Sequence, residues 1–249
     1  MRQTLVTAFM AAVLLAGTAA SGQAADIRLT TLDWPPYSGS GLPELGASSA
    51  VVARAAAAAG DTFSAEVLPF QRAVKVGLED AGFVGYYPEY HSKDLEATCA
   101  FSGPLGTSPL GLVERKAQPL TWKTIDDLKG HTIGVVQGYV NTAEFDAKAA
   151  DGTLTVEAVV DDATNLRKVA AGRIPAAVID RHVMNYLLKN DPALAPLAGT
   201  LQFNPVILER KTLHVCFRKS PEGTAARERF EAGLAKVDVE AVTAAAIGD

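Results

Sequence analysis

The chain has 249 residues, of which 48% are apolar and 20% are charged. These fractions are ordinary for a globular protein and exclude a chain that is disordered throughout. The formal net charge of −5 argues against a nucleic-acid partner, because phosphate binding requires a basic patch. The length allows one large domain or two small ones.

The first 25 residues have the pattern of a secretory signal peptide. Arg2 supplies a positive charge, an apolar run covers 5–16, and small residues follow up to Ala25. The apolar run is too short for a membrane span, which takes about 20 residues. No cysteine stands at the junction, so we predict no lipid anchor. We expect cleavage after Ala24 or Ala25 and a periplasmic mature protein.

Strand and helix patterns alternate along the mature chain. Strands are predicted at 27–32, 63–68, 83–87 and 110–113, and helices at 48–59, 71–78 and 125–128. Ser48 is the predicted cap of the first helix, and Gly60 ends it. This alternation predicts a parallel α/β sheet.

A second α/β unit begins at His131. Its strands are predicted at 131–136, 154–159 and 176–179, and its helices begin near Asn141 and at the caps Asp161 and Asp180. A strand at 212–217 and two helices complete the chain, the first helix beginning at Ser220 and Pro221. If these last elements return to the first unit, two crossings connect the units, near 113–116 and 204–211.

We therefore predict two lobes that enclose a hinged cleft. The predicted division is a signal peptide at 1–25, a first lobe at 26–113 plus 206–249, and a second lobe at 114–205. In α/β sheets, ligands bind beyond the carboxyl ends of the strands. Facing lobes of this kind place the binding site between them.

Five segments, in this order and spacing, resemble the periplasmic solute-binding proteins of the amino-acid-binding type (bacterial solute-binding family 3). The segments are 33–37, 99–104, 108–116, 125–138 and 172–180. The resemblance covers nearly all of the mature chain and implies a two-lobed α/β periplasmic-binding-protein fold. It also implies a monomer without a cofactor, which captures a small polar, amine-bearing or amino-acid-like ligand for the permease of an ABC transporter.

The resemblance gives roles to several residues. Trp34 corresponds to the aromatic ring that covers the ligand, and Asp180 to the acid that holds the ligand's amino group. Residues Gln137, Tyr139 and Asn141 belong to the turn that contacts a ligand carboxylate, and a helix start is a natural anion site. Structural alternatives stay open, since Trp34 suits packing over a strand end and Asp180 suits an N-cap.

Three further candidates come from the residues themselves. Tyr86 and Glu89 lie at the end of a predicted strand, where they can reach a cleft. Arg72 lies at a helix start, where the helix dipole does not favour a cation, and this supports an anion-binding role. The alternatives are a solvated Glu89 and a surface Arg72.

One position departs from the family pattern. The arginine that clamps the ligand carboxylate in the family corresponds here to Leu95. Together with Glu89, Asp180 and the aromatic rings, this departure predicts a cationic or amine-bearing ligand, or one whose acid is bound by Arg72. Ordinary α-amino acids are expected to bind weakly.

Catalysis is not predicted, because no metal-ligand spacing, nucleophile elbow or phosphate-loop motif occurs in the sequence. Two other classes stay open: a periplasmic enzyme on this fold, such as a cyclohexadienyl-type dehydratase with Glu89 or His182 as the acid, and a sensory ligand-binding module. Pairing of Cys99 with Cys216 is also left open, since it requires that the fold bring them together.

Export is testable directly. The intact mass of protein from a periplasmic extract is expected to correspond to a chain that starts at Ala25 or Asp26. A full-length product confined to the cytoplasm would contradict the predicted localisation.

Overall fold

The computed structural model describes residues 25–248. The predicted signal peptide therefore lies outside the described residues, apart from Ala25. Within the described span, no helix combines the length and the apolar character that crossing a membrane requires.

Nine strands make up one sheet in the described part of the chain. They are β1 (Asp26–Thr31), β2 (Thr62–Val67), β3 (Gly85–Tyr90), β4 (Cys99–Phe101), β5 (Gly106–Arg115), β6 (Thr132–Val136), β7 (Thr155–Val159), β8 (Ala176–Asp180) and β9 (Leu201–Arg218). The helices are α1 (Ala47–Ala59), α2 (Phe70–Glu79), α3 (Ala143–Ala150), α4 (Asp162–Ala170), α5 (Arg181–Asn190), α6 (Pro221–Leu234) and α7 (Val239–Ile247). Short 3-10 turns include Ile125–Leu128, as predicted.

The strand order is β2-β1-β3-β9-β5-β8-β6-β7, with β4 paired to β9. Strand β1 is parallel to β2 and β3, and β6 is parallel to β7 and β8. Every pair that involves β5 or β9 is antiparallel. The sheet is therefore mixed rather than parallel, because the two strands between its halves run against their neighbours.

We call β1–β3 with α1, α2, α6 and α7 the first half, and β6–β8 with α3, α4 and α5 the second half. In the first half, α6 and α7 pack on α1, so the end of the chain does return to the first unit. In the second half, α4 packs on β6 and β8, and α5 packs on β5 and β8. The apolar core is continuous across the two halves.

Strand β9 is much longer than predicted. It has 18 residues and pairs with β5 from Gly106 opposite Leu213 to Arg115 opposite Leu201. The crossing predicted near 204–211 falls within β9, so Pro205 and the charged residues after it belong to a strand. Register shifts near Gly111 accommodate the irregularity. The lobe boundaries at 113 and 206 stay a prediction.

Helix caps agree with the sequence at three positions and differ at one. The side chains of Asp161, Asp180 and Ser220 accept hydrogen bonds from backbone N–H groups of the helices that follow them. Ser48 is not a cap, since α1 begins after Gly46 and Ser48 is buried in the first turn. Gly46 has φ of 98°, and a Cβ there would lie 2.7 Å from the Tyr37 carbonyl oxygen.

Cys99 and Cys216 form a disulfide, with their Cα atoms 5.5 Å apart. Cys99 begins β4, a strand that the sequence analysis missed, and β4 pairs with β9 beside Cys216. The disulfide packs against the buried ring of Tyr86. It therefore links β4 to β9, and the opposite edge of β9 pairs with β3.

The disulfide predicts no free thiol in denatured protein that has not been reduced, and two after reduction. Because the bond closes a loop of more than a hundred residues, its loss is expected to lower the free energy of unfolding by roughly 3–5 kcal/mol. Thiol titration and urea unfolding, with and without reductant, measure both effects. Two titratable thiols before reduction would contradict the bond.

Candidate functional site

An aromatic turn follows β1 and enters the space between the halves. Trp34 and Tyr37 are buried, and their ring centroids lie 4.7 Å apart in a stacked arrangement. The turn is closed on itself by backbone hydrogen bonds between Trp34 and Ser38. Trp34 also meets the ring of Tyr90 edge-on at 5.9 Å. Trp34 therefore lies between the halves, where it was predicted to lie. Its contact with a ligand stays a prediction.

Asp180 joins the two halves. One carboxylate oxygen accepts the Val183 N–H at 2.8 Å, which caps α5. The other oxygen accepts the hydroxyls of Ser108 at 2.5 Å and Tyr37 at 3.1 Å. Burial raises the pKa of Asp180, and these hydrogen bonds together with the charge of His182 oppose the rise. Both sequence readings of Asp180, as a cap and as a cleft residue, agree with this geometry.

Asp162 is a second buried acid from the second half, and the sequence analysis missed it. It opens α4 directly after the cap Asp161, and its Oδ2 accepts the Trp34 indole N–H at 3.2 Å. Burial raises its pKa to about 7, against the effect of the Trp34 hydrogen bond, and the charges of Asp180 and Asp161 add to the rise.

Glu89 is the buried acid of the first half. Its carboxylate accepts the Tyr86 hydroxyl at 3.0 Å and the Tyr90 N–H at 2.7 Å. Burial raises its pKa to about 7, although these two donors and the charge of Lys211 lower it. The alternative of a solvated Glu89 is therefore wrong. Tyr86 is buried behind the cleft, where it positions Glu89.

The turn after β6 faces the start of α2 across the halves. The Gln71 side-chain amide donates to the Gln137 carbonyl oxygen at 3.0 Å. Gly138 has φ of +83°, and a Cβ there would lie 1.8 Å from Gln71 Nε2, so this close approach requires glycine. The Gln137 side chain itself is exposed. Tyr139 is half-buried, and its ring lies 6.3 Å from that of Trp34.

The predicted anion site at the start of α3 is occupied by a side chain of the protein. Asp146 Oδ2 accepts the Asn141 backbone N–H at 2.9 Å, and Oδ1 accepts the Asn141 side-chain amide at 2.8 Å. Thr142, the cap, accepts the Phe145 N–H. Of the donors that the family resemblance assigns to a ligand carboxylate, those of Asn141 are thus already bound to a carboxylate.

Two spaces remain between the halves, and Trp34, Tyr90, Tyr139 and Val140 line both. The first space is otherwise mostly apolar and has one acid, with Leu32, Phe70, Pro88, Glu89 and Leu213 in its lining. The second combines apolar side chains with two acids and an amide: Leu110, Val136, Asn141, Asp162, Val178, Ile179 and Asp180. They leave about 20 Å³ and 10 Å³ for the centres of water molecules, room for roughly one water each. A larger ligand therefore requires that the halves part or that the rings move.

No lysine or arginine belongs to the lining of either space in residues 25–248. Arg72 is exposed on α2, and Leu95 lies in a 3-10 turn outside both linings. Lys211 is the cation that acts on Glu89, and its Nζ lies 5.5 Å from the centroid of the Tyr90 ring. The arrangement brings together Trp34, Glu89, Tyr139, Asn141 and Asp180 of the predicted residues, and leaves the side chains of Arg72 and Gln137 at the surface.

Comparisons with known proteins reveal a shared fold. No family model matches the chain, and no curated protein matches it. The ligand-binding core of GluR0 from Nostoc punctiforme, in complex with L-glutamate, has a TM-score of 0.68 at 16% identity over 88% of this chain and 96% of that one. The substrate-binding protein AbpA of an amino acid ABC transporter from Streptococcus pneumoniae, bound to L-arginine, has a TM-score of 0.69 at 13% identity over 89% and 95%.

A sensor domain has the same fold. The periplasmic VFT2 domain of BvgS from Bordetella pertussis has a TM-score of 0.69 at 16% identity over 90% of this chain and 92% of that one. At these identities the likeness establishes the fold alone. The predicted two-lobed periplasmic-binding-protein fold is confirmed, and below we refer to the two halves as the lobes.

The raised pKa of Asp162 predicts that closure depends on pH. In the closed arrangement the Asp162 carboxyl is protonated below about pH 7, whereas in an open arrangement it ionises above its ordinary pKa near 4. The closed arrangement is therefore disfavoured by up to about tenfold per pH unit as pH rises from about 4 to about 7, and by no more above that. In a Trp122→Phe background, Trp34 emission is expected to shift to longer wavelength as pH rises from 4 to 7.

Substitution at neighbouring positions provides the control for this titration. Asp162→Asn is expected to weaken the pH dependence, whereas Asp161→Asn, which removes an exposed charge one residue away and keeps a capping side chain, is expected to retain it. Equal titration curves for the two variants would contradict the assignment to Asp162.

Proposed function

We propose that this chain is an extracytoplasmic solute-binding protein that captures a small amine-bearing ligand in the cleft between its lobes. The observation that carries the proposal is the burial of Glu89, Asp162 and Asp180 around a cleft with no lysine or arginine in its lining. Buried carboxylates require a positive partner or a proton. A protonated amine supplies the partner together with N–H donors.

Closure supplies the mechanism of capture. Trp34 and Tyr37 of the first lobe donate to Asp162 and Asp180 of the second, so the same acids serve both as ligand partners and as contacts between lobes. A ligand that contacts both lobes favours the closed form by its difference in affinity for the two forms. Aromatic rings at the cleft add cation–π attraction for an ammonium group.

The closed form is proposed to dock on the permease of an ABC transporter. The fold supports this role and a sensory role equally, since both AbpA and the BvgS domain share it. The genes encoded beside this one distinguish the two: a permease and an ATPase favour import, and a membrane kinase favours signalling. The predicted signal peptide supports a periplasmic location in either case.

We propose binding without chemistry. Glu89 and Asp162 line the cleft with raised pKa values, so they are the residues that could act as general acids, and each already accepts a hydrogen bond from a neighbouring side chain. The test is a time course by NMR of each ligand with the protein. An unchanged ligand spectrum supports capture, and the appearance of product would establish an enzyme.

A thermal-shift screen against amines and amino acids tests the binding function, because a ligand bound by the native state alone raises the melting temperature. For the compound with the largest shift, Asp180→Asn is expected to weaken binding by one to two decades, since a charge-assisted hydrogen bond contributes about 1.5–3 kcal/mol. Asp161→Asn is the matched control and is expected to bind normally. Unchanged affinity in Asp180→Asn would contradict the role of Asp180.

A further inference from the structure

We propose that the cleft selects a small organic dication that carries no carboxylate group, so that a diamine or an amino-guanidine is preferred to the amino acid of the same side chain. This rests on the proposed function and narrows it, because the class of amine-bearing ligands includes every amino acid, whereas the inference excludes ligands with a carboxylate. Two independent features of the cleft lead to it: the balance of its charges, and the state of the helix start that would receive a carboxylate.

The charge balance calls for two positive groups. Glu89 has Lys211 as a nearby cation, which lowers the pKa of Glu89. Asp162 and Asp180 lie together on the second lobe, where the charge of Asp180 raises the pKa of Asp162. Among the residues that the structure describes, no lysine or arginine lines their space, and His182 is the basic side chain that acts on Asp180. Two ammonium or guanidinium groups would balance these two acids, whereas an amino acid with a cationic side chain would add a further negative charge.

The lining between the acids suits an alkyl chain. Leu110, Val136, Val178 and Ile179 line the same space as Asp162 and Asp180. Trp34 and Tyr139 complete its aromatic side. A chain of methylene groups between two cationic ends buries apolar surface against these side chains, which favours binding.

At the start of α3, donors of Asn141 are already bound to an acid of the chain. Asp146 accepts the backbone N–H of Asn141 and one N–H of its side-chain amide. A second carboxylate at this point would meet the charge of Asp146 without a lysine or arginine in the lining of the cleft to offset it. Burying such an unpaired charge is costly, so the site discriminates against it.

The experiment compares three matched pairs by isothermal titration at pH 8, above the raised pKa values of Glu89 and Asp162, which are about 7. The pairs are 1,4-diaminobutane with ornithine, 1,5-diaminopentane with lysine, and agmatine with arginine. Each pair shares its side-chain cation and differs by the carboxylate. The carboxylate-free member of at least one pair is expected to bind, and to bind at least tenfold more tightly than its amino acid.

The possible outcomes separate this inference from the proposed function. If an amino acid binds as tightly as its carboxylate-free partner or more tightly, the inference is overturned, and capture of an amine-bearing ligand stands. If no member of any pair binds at millimolar concentration, the inference is overturned, and the thermal-shift screen against amines and amino acids decides the proposed function separately.

A pair of variants tests the part assigned to Asp146. Asp146→Ala releases the two donors of Asn141, so it is expected to reduce the discrimination within the pair that binds. Glu144→Ala removes an acid from the same turn of α3, where Glu144 contacts Lys148, and it is expected to leave the discrimination unchanged. An unchanged ratio in Asp146→Ala, with its melting temperature retained, would show that Asp146 does not exclude the carboxylate.

Discussion

A carboxyl group buried away from water requires a proton, hydrogen-bond donors or a positive charge beside it. Three such groups share one cleft in this protein. Each is fixed by donors from the chain: tyrosine and serine hydroxyls for Asp180 and Glu89, and the Trp34 indole for Asp162. Two of the donors, Trp34 and Tyr37, belong to the first lobe and contact acids of the second, so they also draw the two lobes together. The polarity of the cleft and the closure of the lobes are therefore two results of one arrangement of hydrogen bonds.

Much of the fold could be predicted from the sequence because helix caps and strand patterns are local. Asp161, Asp180 and Ser220 cap their helices through side chains that the sequence displays. Strand β9 could not be predicted in full, since Pro205 and a charged run resemble a connection, and only the facing strand β5 provides the partner that makes them a strand. Strand β4 has three residues, and its pairing depends on β9.

The site was predicted in part for the same reason. Trp34 and Asp180 stand at turns whose position in an α/β fold is predictable. Asp162 follows a cap, and an acid in the first turn of a helix is common, so the sequence does not mark it. Its burial against Trp34 arises from tertiary packing. Asp146 gives only a weak local signal, an acid five residues after Asn141. Asn141 was therefore predicted to donate to a ligand, whereas it donates to Asp146.

The paired crossing of β5 and β9 has a mechanical consequence. Two separate connections would let the lobes twist independently, but these strands form one hydrogen-bonded ladder from Gly106 to Arg115. Because the two connections are hydrogen-bonded to each other, we expect the lobes to move by bending at this ladder rather than by independent twisting. Such a motion would return Trp34 to the same alignment with Asp162 at each closure.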